Sequence, residues 1–511
     1  MKTYPIQDVV VLGAGSAGLM TAILCKTFLK NLNLNVKIVQ SGQVPILGVG
    51  EGTTEHIQEF LRHAGIDVSD FIKGTKATLK AGVLFKDWLY DGHEYWHSLR
   101  VYHVHAEHDT EHDLEYASPH FHMGMPIGGY ACYIAPEIDD RSHSELSGNV
   151  DGQPLQYHFN NFALNEYLRE KCKELGIEIV DDYIEKVDID VDFNIKAIVG
   201  KQRHEADFFF DCSGFKRRLI NEYQPKFVDY SDQLIVDRAL FFPYKTVDNP
   251  VPMTLAKAMK YGWFWQAPTQ DRTGNGYVYS SKHCTPEMAL EEIRAMGYDL
   301  PDDAVNNVKE FKSGHIKNAW TKNCVAIGIA SSFFEPLEAA ALSTGVLQTL
   351  TVLDYLHSYD PKCDSVQRMY NRVFEQFYKN SFDFIRIHYI TGRTDTSFWK
   401  EYSNKPLPQD LWDRLNLFKN RPATWVEQDL PAAFVLYGPD NFMQVLSGLE
   451  LIDKEKLQHY IHHKGMATKL HGAMLKIEHM NQVSKRNERH EDILNSINSD
   501  TFREIKVGYR S

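Results

Sequence analysis

Gly13-Ala14-Gly15-Ser16-Ala17-Gly18 follows the β-branched run Asp8 to Leu12 and precedes a helical pattern from Leu19 to about Leu29. A Gly-x-Gly-x-x-Gly turn between a strand and a helix is built to take a pyrophosphate. Gly13 permits the tight turn, Gly15 lets the backbone approach phosphate, and Gly18 allows the helix to pack closely. The helix N-terminus then favours the negative charge. A ribose-binding acid is expected after the second strand, Val36 to Val39, but Gln40 or Ser41 stands there. An amide can still bond to a hydroxyl, so Gln40 joins the cofactor-binding set.

Two later segments favour FAD over NAD. Asp211-Cys212-Ser213-Gly214 follows one strand, Ala206 to Phe210, and Gly328 follows another, Cys324 to Ile327. Flavoproteins close their sites with discontinuous pieces of this sort. No second dinucleotide fingerprint offers a place for NAD(P)H. Gly48-Val49-Gly50-Glu51-Gly52 has the glycines without a long preceding strand and a following Rossmann helix. A separate flavin reductase is therefore expected.

These residues need a scaffold. The strand–turn–helix–strand start and its later pieces predict an α/β, Rossmann-type, flavoprotein-monooxygenase-like fold. Further sheets are expected from about 75 to 160 and from about 235 to 282, flagged by β-branched and aromatic runs. From about 346 onward the pattern is mainly helical, at three-to-four spacing over 365–391 and 440–485. Residues 1–345 are thus expected to form the FAD-binding core, with inserted sheets, and 346–511 a mainly helical substrate side. The polar last 25 residues, beyond Lys485 and Arg486, read as a solvated helix or tail.

Composition narrows the partners. The chain of 511 residues carries a formal charge of -13 and no dense Lys/Arg block. That argues against nucleic acid or an anionic membrane surface as the main partner. No apolar stretch approaches the roughly 18 residues that span a bilayer. The seven cysteines are scattered with no Cys-x-x-Cys pair, as in a reducing compartment, and no signal peptide is expected ahead of the first strand. A cytoplasmic location is expected. Residues 93–122 hold eight histidines (His93, His97, His103, His105, His108, His112, His120, His122), without compact metal-ligand spacing. They read as a solvent-facing or substrate-side loop, and no metal site is expected. A homo-oligomer is compatible with this composition.

Tyr261-Gly262-Trp263-Phe264-Trp265-Gln266-Ala267-Pro268 resembles the W-x-W-x-I-P signature of flavin-dependent halogenases of the tryptophan-halogenase type, with Ala267 in the isoleucine place. Arg272 to Ser281 is also similar to that family. So are Gly48 to Thr53, Ala77 to Gly82, Asp237-Arg238-Ala239 and Phe334-Glu335-Pro336-Leu337-Glu338. The resemblance spans roughly residues 8 to 340. It implies that reduced FAD, O2 and a halide ion (chloride, bromide or iodide) together make hypohalous acid, and that Trp263, Trp265 and Pro268 wall the substrate from the flavin. It further implies that Lys80 holds or carries the oxidant, in a strand with one side turned inward, where burial favours a neutral amine. Glu338 matches the family's catalytic carboxylate, with Pro336 opening a helix that runs through Leu342 and Val346. Ala339-Ala340-Ala341 replaces the family's Ser-Thr, so the halide is assigned to backbone N–H groups at Ala340 and Ala341; Ser343-Thr344-Gly345 is a gapped alternative.

The implied substrate is an electron-rich aromatic small molecule. Relatives specific for tryptophan grip the zwitterion with tyrosines and a glutamate late in the chain. Here Thr424 to Gly448 offers Tyr437-Gly438-Pro439-Asp440-Asn441-Phe442, and His97-Ser98-Leu99 stands for a His-x-Phe element. Free tryptophan is therefore not the expected substrate. An aromatic monooxygenase of related fold and a non-enzymatic flavin-binding protein are the alternatives. The monooxygenase would not need Lys80, Glu338 or the paired tryptophans, and the flavin-binding protein would give no turnover.

Overall fold

The computed structural model describes residues 6–32, 34–44, 51–54, 56–80, 82–98, 156–245, 250, 252–421, 423, 427, 435–463 and 490–499. The chain forms two compact units that alternate along the sequence. The first takes in Met1–Ala77, Phe159–Ser231 and Lys312–Tyr378; the second takes in Thr78–His158, Asp232–Phe311 and Lys379–Ser511.

The first unit is built on a six-stranded sheet. Its order is Trp320–Thr321, Cys324–Ala326, Phe208–Asp211, Asp8–Leu12, Asn35–Gln40 and Glu178–Asp181. All neighbouring pairs are parallel except the Trp320–Thr321 edge. Strands buried on both faces of a parallel sheet read as continuous apolar runs, and Val9 to Leu12 and Phe208 to Phe210 are buried throughout. The helix Ser16–Thr27 buries every residue from Gly18 to Cys25, and the helix Asn161–Glu174 starts on an Asn160 side-chain cap. This is the Rossmann-type architecture the sequence predicts.

The second unit is built on a seven-stranded mixed sheet: Val308–Glu310, Arg238–Tyr244, Thr273–Tyr279, Gly262–Pro268, Met253–Ala258, Gly82–Lys86 and Glu94–Ser98. The helix Pro286–Ala295, capped by Thr285, packs on a cluster that includes Leu240, Phe264, Tyr277, Leu290 and Ile293. A short ladder, Thr78–Lys80 against Gln156–Phe159, pairs Lys80 with Gln156 and Thr78 with His158.

Several sequence expectations need correction. The helix expected to continue from Pro336 is broken. Pro336–Glu338 is one 3-10 turn, Ala339 turns left-handed at φ 54°, and the α-helix begins only at Ala341. The Lys80 stretch is buried on both faces, because Leu79, Lys80, Val83, Leu84 and Phe85 are all buried. His93 and His97 are buried rather than solvent-facing; the other six histidines of that run lie outside the described residues. Most of the C-terminal tail lies outside them too, but His490–Asn498 is a helix that buries His490, Leu494 and Ile497. Among the described residues, no helix is long and apolar enough to cross a membrane, and no group of three or more His, Cys, Asp and Glu is placed to hold a metal ion.

Candidate active site

In the first unit the glycine turn has the shape its chemistry demands. Gly13 sits at φ +111°, and a Cβ there would stand 2.4 Å from the Cys212 carbonyl oxygen. A Cβ at Gly18 would stand 2.0 Å from the Gly13 carbonyl oxygen. Neither position admits a side chain. Gly15 is different: nothing lies within 4 Å of where its Cβ would be. It is also the N-cap of the Ser16–Thr27 helix, with no side-chain cap. An open face beside uncapped helix-terminal N–H groups fits a dinucleotide pyrophosphate.

The surrounding residues hold that turn in place. Asn165 donates to the Ala14 carbonyl at 2.8 Å. Gly328, at φ +62°, sits so close to Ala17 that a Cβ would be 3.1 Å from the alanine methyl, and its N–H donates to Gln348 Oε1 at 2.8 Å. Gly345, in the helix Ala341–Tyr355, also comes within van der Waals reach of Ala17 and Gly328. The first turn of one helix, the glycine bend and the second helix therefore meet around Ala17.

Two cofactor candidates have their side chains engaged by protein. Asp211 accepts four hydrogen bonds: one oxygen takes the N–H and hydroxyl of Ser213, and the other the N–H groups of Leu219 and Ile220. It shapes the turn after its strand. Gln40 Oε1 accepts from Arg169, which also donates to Asn165 Oδ1 at 2.7 Å. Asn165 and Arg169 carry no motif of their own, since the Ala14 carbonyl and Gln40 that they reach lie far away along the chain. Glu51 begins the two-residue strand Glu51–Gly52; Gly50 lies outside the described residues.

Glu338 ends the 3-10 turn and is 1% exposed. Ala340 is the N-cap of the following helix and Ala341 its first residue, with no side-chain cap. Thr344 of the gapped alternative turns its hydroxyl back onto the Ala340 carbonyl at 2.9 Å. The left-handed Ala339 thus separates the carboxylate from a helix N-terminus of the kind that attracts an anion.

In the second unit Trp263 and Trp265 stand on the same face of one strand, their rings 6.1 Å apart and tilted by 51°. Opposite Trp265 are Ala256 and Gly276. A Cβ on Gly276 would be 1.9 Å from the Trp265 ring, so small residues on both neighbouring strands make room for the indole. The same strand ends at Pro268, whose carbonyl accepts from the Thr78 hydroxyl at 2.6 Å.

Lys80 is 4% exposed and follows Thr78 on its strand. His158 lies across the ladder from Thr78, with Nδ1 at 3.3 Å from the Thr78 hydroxyl and Nε2 at 2.8 Å from the Thr254 hydroxyl. The single Thr78 hydroxyl proton goes to Pro268, so His158 donates through Nδ1; burial favours the neutral ring, which leaves Nε2 to accept from the Thr254 hydroxyl. Burial, chiefly, and the nearby Lys80 charge hold the imidazole's pKa well below the ordinary value. Ala81 lies outside the described residues.

A tryptophan halogenase family model matches residues 8–464. Tryptophan 7-halogenase RebH of Lentzea aerocolonigenes is 31% identical over 487 residues, covering 88% of this chain and 90% of that protein. Among solved structures, a tryptophan halogenase from Shewanella frigidimarina aligns with a TM-score of 0.87 at 25% identity, covering 99% of this chain and 100% of the other. BrvH, a flavin-dependent halogenase from Brevundimonas, aligns with a TM-score of 0.81 at 25% identity, covering 96% and 99%.

Proposed function

The chain belongs to the tryptophan halogenase family, and from that membership we propose that it halogenates an electron-rich aromatic small molecule other than free tryptophan, through Lys80 and Glu338. FAD is its cofactor and halide its co-substrate, and the chain is a flavin-dependent oxidoreductase. When bound, reduced FAD supplies the electrons with which O2 and halide yield an electrophilic halogen. Gly13, Gly15 and Gly18 hold its pyrophosphate, with Ala14, Ser16 and Ala17 in the same turn, and Gly328 closes the turn from the other side. Gln40, held by Arg169, and Gly50 and Glu51 complete the cofactor set. The N–H groups of Ala340 and Ala341 take the halide.

The observation that carries the reading is the burial of Lys80 on a strand tied through Thr78 to the end of the tryptophan strand. A lysine is almost never fully buried unless it is paired, because its charge is costly to take out of water, so this placement is unusual. In this reading its amine holds the oxidant, and Trp263, Trp265 and Pro268 separate flavin from substrate. Glu338 polarises the oxidant or takes the proton lost from the ring. A separate reductase supplies the reduced flavin, since the sequence offers no second dinucleotide turn. Of residues 346–511, those from Lys379 onward, in the second unit, contribute the substrate side, while Gln348 supports the cofactor turn.

The test uses Lys80→Ala with FAD, a flavin reductase, NADH, bromide and a phenol. The variant is expected to bind FAD and oxidise reduced flavin normally while forming no halogenated product. Near-normal product formation, with free hypohalous acid scavenged, would remove Lys80 from the mechanism. Product mass separates halogenation from hydroxylation.

A further inference from the structure

The geometry points to His490 as a positioning residue for Lys80, reaching the lysine strand from a C-terminal helix beyond residue 464. The inference rests on the reading of Lys80 above.

His490 opens the helix His490–Asn498 and is fully buried. Its Nε2 stands 3.1 Å from the backbone N of Leu79, the residue next to Lys80. A backbone N–H can only donate, so Nε2 is the acceptor. Its Nδ1 stands 2.7 Å from the carbonyl oxygen of Pro250, which can only accept. The proton therefore sits on Nδ1, and the imidazole is neutral with both nitrogens committed. Burial agrees, lowering its pKa to about 4.

This arrangement fixes backbone rather than side chain. Leu79 pairs with Tyr157 on one side of the short ladder, and His490 meets its N–H. Three residues in a strand are few to hold a buried lysine in one place. Thr78 is pinned to Pro268 and His158, Leu79 to His490, and both ties flank the Cα of Lys80 from the N-terminal side. The helix itself is seated by Leu494 and Ile497, both buried, and Asn498 donates to Gln270 Oε1 at 2.8 Å. A helix so anchored can deliver an acceptor to a defined point. Displacement of a reacting group by about 1 Å is enough to cost on the order of 10²-fold in rate.

His490→Met removes both hydrogen bonds at similar volume, and His490→Gln restores an acceptor that reaches Leu79. Each is compared with the parent and Lys80→Ala for FAD binding, flavin oxidation rate, and halogenated product per flavin oxidised. The methionine variant is expected to keep the first two and lose roughly tenfold in product per flavin, a loss of the size that misplacement brings. The glutamine variant is expected to recover most of that yield. Undiminished yield in His490→Met, alongside loss in Lys80→Ala, overturns the role of His490 alone. Undiminished yield in Lys80→Ala overturns the reading of Lys80, and this inference with it. Parallel loss of FAD binding and yield in both His490 variants makes the residue merely structural. Should the methionine variant not fold, His490→Asn, which falls short of Leu79, takes its place: equal yields from asparagine and glutamine overturn the proposal.

Discussion

The hydroxyl of Thr78 donates to the carbonyl of Pro268 at 2.6 Å, so the segment that leads into Lys80 and the end of the tryptophan strand are held as one piece. The same hydroxyl accepts from His158 at 3.3 Å. Thr78→Val keeps the shape and removes both partners at once, leaving a buried carbonyl and a buried imidazole N–H unsatisfied. The expected cost is about 1–3 kcal/mol, the range for an orphaned buried polar group. Urea unfolding of Thr78→Val against Thr78→Ser measures it. A valine variant as stable as the parent would show that the tie contributes nothing.

Gly276→Ala should dislodge Trp265. The added methyl falls 1.9 Å from the ring, and the opposite neighbour Ala256 is on a strand of the same sheet and cannot retreat far. Overpacking of this kind costs about 1–3 kcal/mol. Tryptophan emission should shift, and Trp265→Phe should relieve part of the cost, giving a favourable coupling in a double-mutant cycle. Additive losses in the cycle would mean that the two residues do not compete for space.

Stability should fall on mild acidification through buried histidines. His490 and His315 are each lowered from 6.5 to about 4, mainly by burial, and His158 is lowered as well. The unfolded chain binds protons at these sites first, so between about pH 6.5 and 4 stability rises with pH. It is fully present above the unfolded value and is lost as pH falls toward the folded one. Each histidine adds a slope of up to about 1.4 kcal/mol per pH unit. Urea unfolding at several pH values above 5, where few carboxylates titrate, isolates this slope. His490→Gln should flatten it by one histidine's share. An unchanged slope would contradict the neutral assignment of His490.

The glycine turn was legible because its constraints are local. Gly13 and Gly18 collide with neighbouring backbone if they carry a side chain, and that requirement leaves its mark at fixed spacing. The paired tryptophans were legible through their motif, and their rings share one face of a strand. What sequence could not supply was set by tertiary packing. Ala339 takes a left-handed turn that alanine does not advertise, so a helix was expected where the chain breaks. The Asp211 carboxylate accepts four hydrogen bonds from the turn that follows, a structural role that no local pattern announces. His490 meets Leu79 across 411 positions of chain, and no pattern in a polar tail announces such a pairing.

Glu338→Gln should slow the substitution step while sparing the cofactor. The residue is buried in a 3-10 turn, two residues ahead of Ala340, the N-cap of the following helix. The glutamine retains the size and loses the negative charge and, with it, the ability to take a proton. A fall of about 10²-fold or more in kcat, with FAD binding and flavin oxidation retained, is the scale of a lost acid–base group. Equal losses in FAD binding and turnover would assign Glu338 to the fold instead.

Free tryptophan should be a poor substrate, and the reason is what the late residues already do. Asn441 accepts from the Gly438 N–H at 2.7 Å and donates to His97 Nε2 at 3.0 Å, so both ends of its amide are committed. Tyr437 is buried and stacked on Phe384, with ring centroids 4.0 Å apart and planes 18° from parallel. Phe442 packs edge-on against the same ring at 5.3 Å. These side chains build a packed aromatic wall in the stretch that the proposed reading assigns to the substrate; Leu99, Thr424 to Val426 and Gln428 to Phe434 lie outside the described residues. A charged ammonium and carboxylate brought against such a wall would lose hydration without compensation, at a cost of several kcal/mol. A phenol, aniline or simple indole carries no such charges and loses less. In competition at equal concentration, with bromide as the halide, these compounds should be halogenated ahead of tryptophan. Asn441→Ala should leave that order unchanged, because its amide serves His97 and the helix cap rather than a ligand. A clear preference for tryptophan, with halogenation at a single ring position, would show that polar groups other than these receive the amino-acid end.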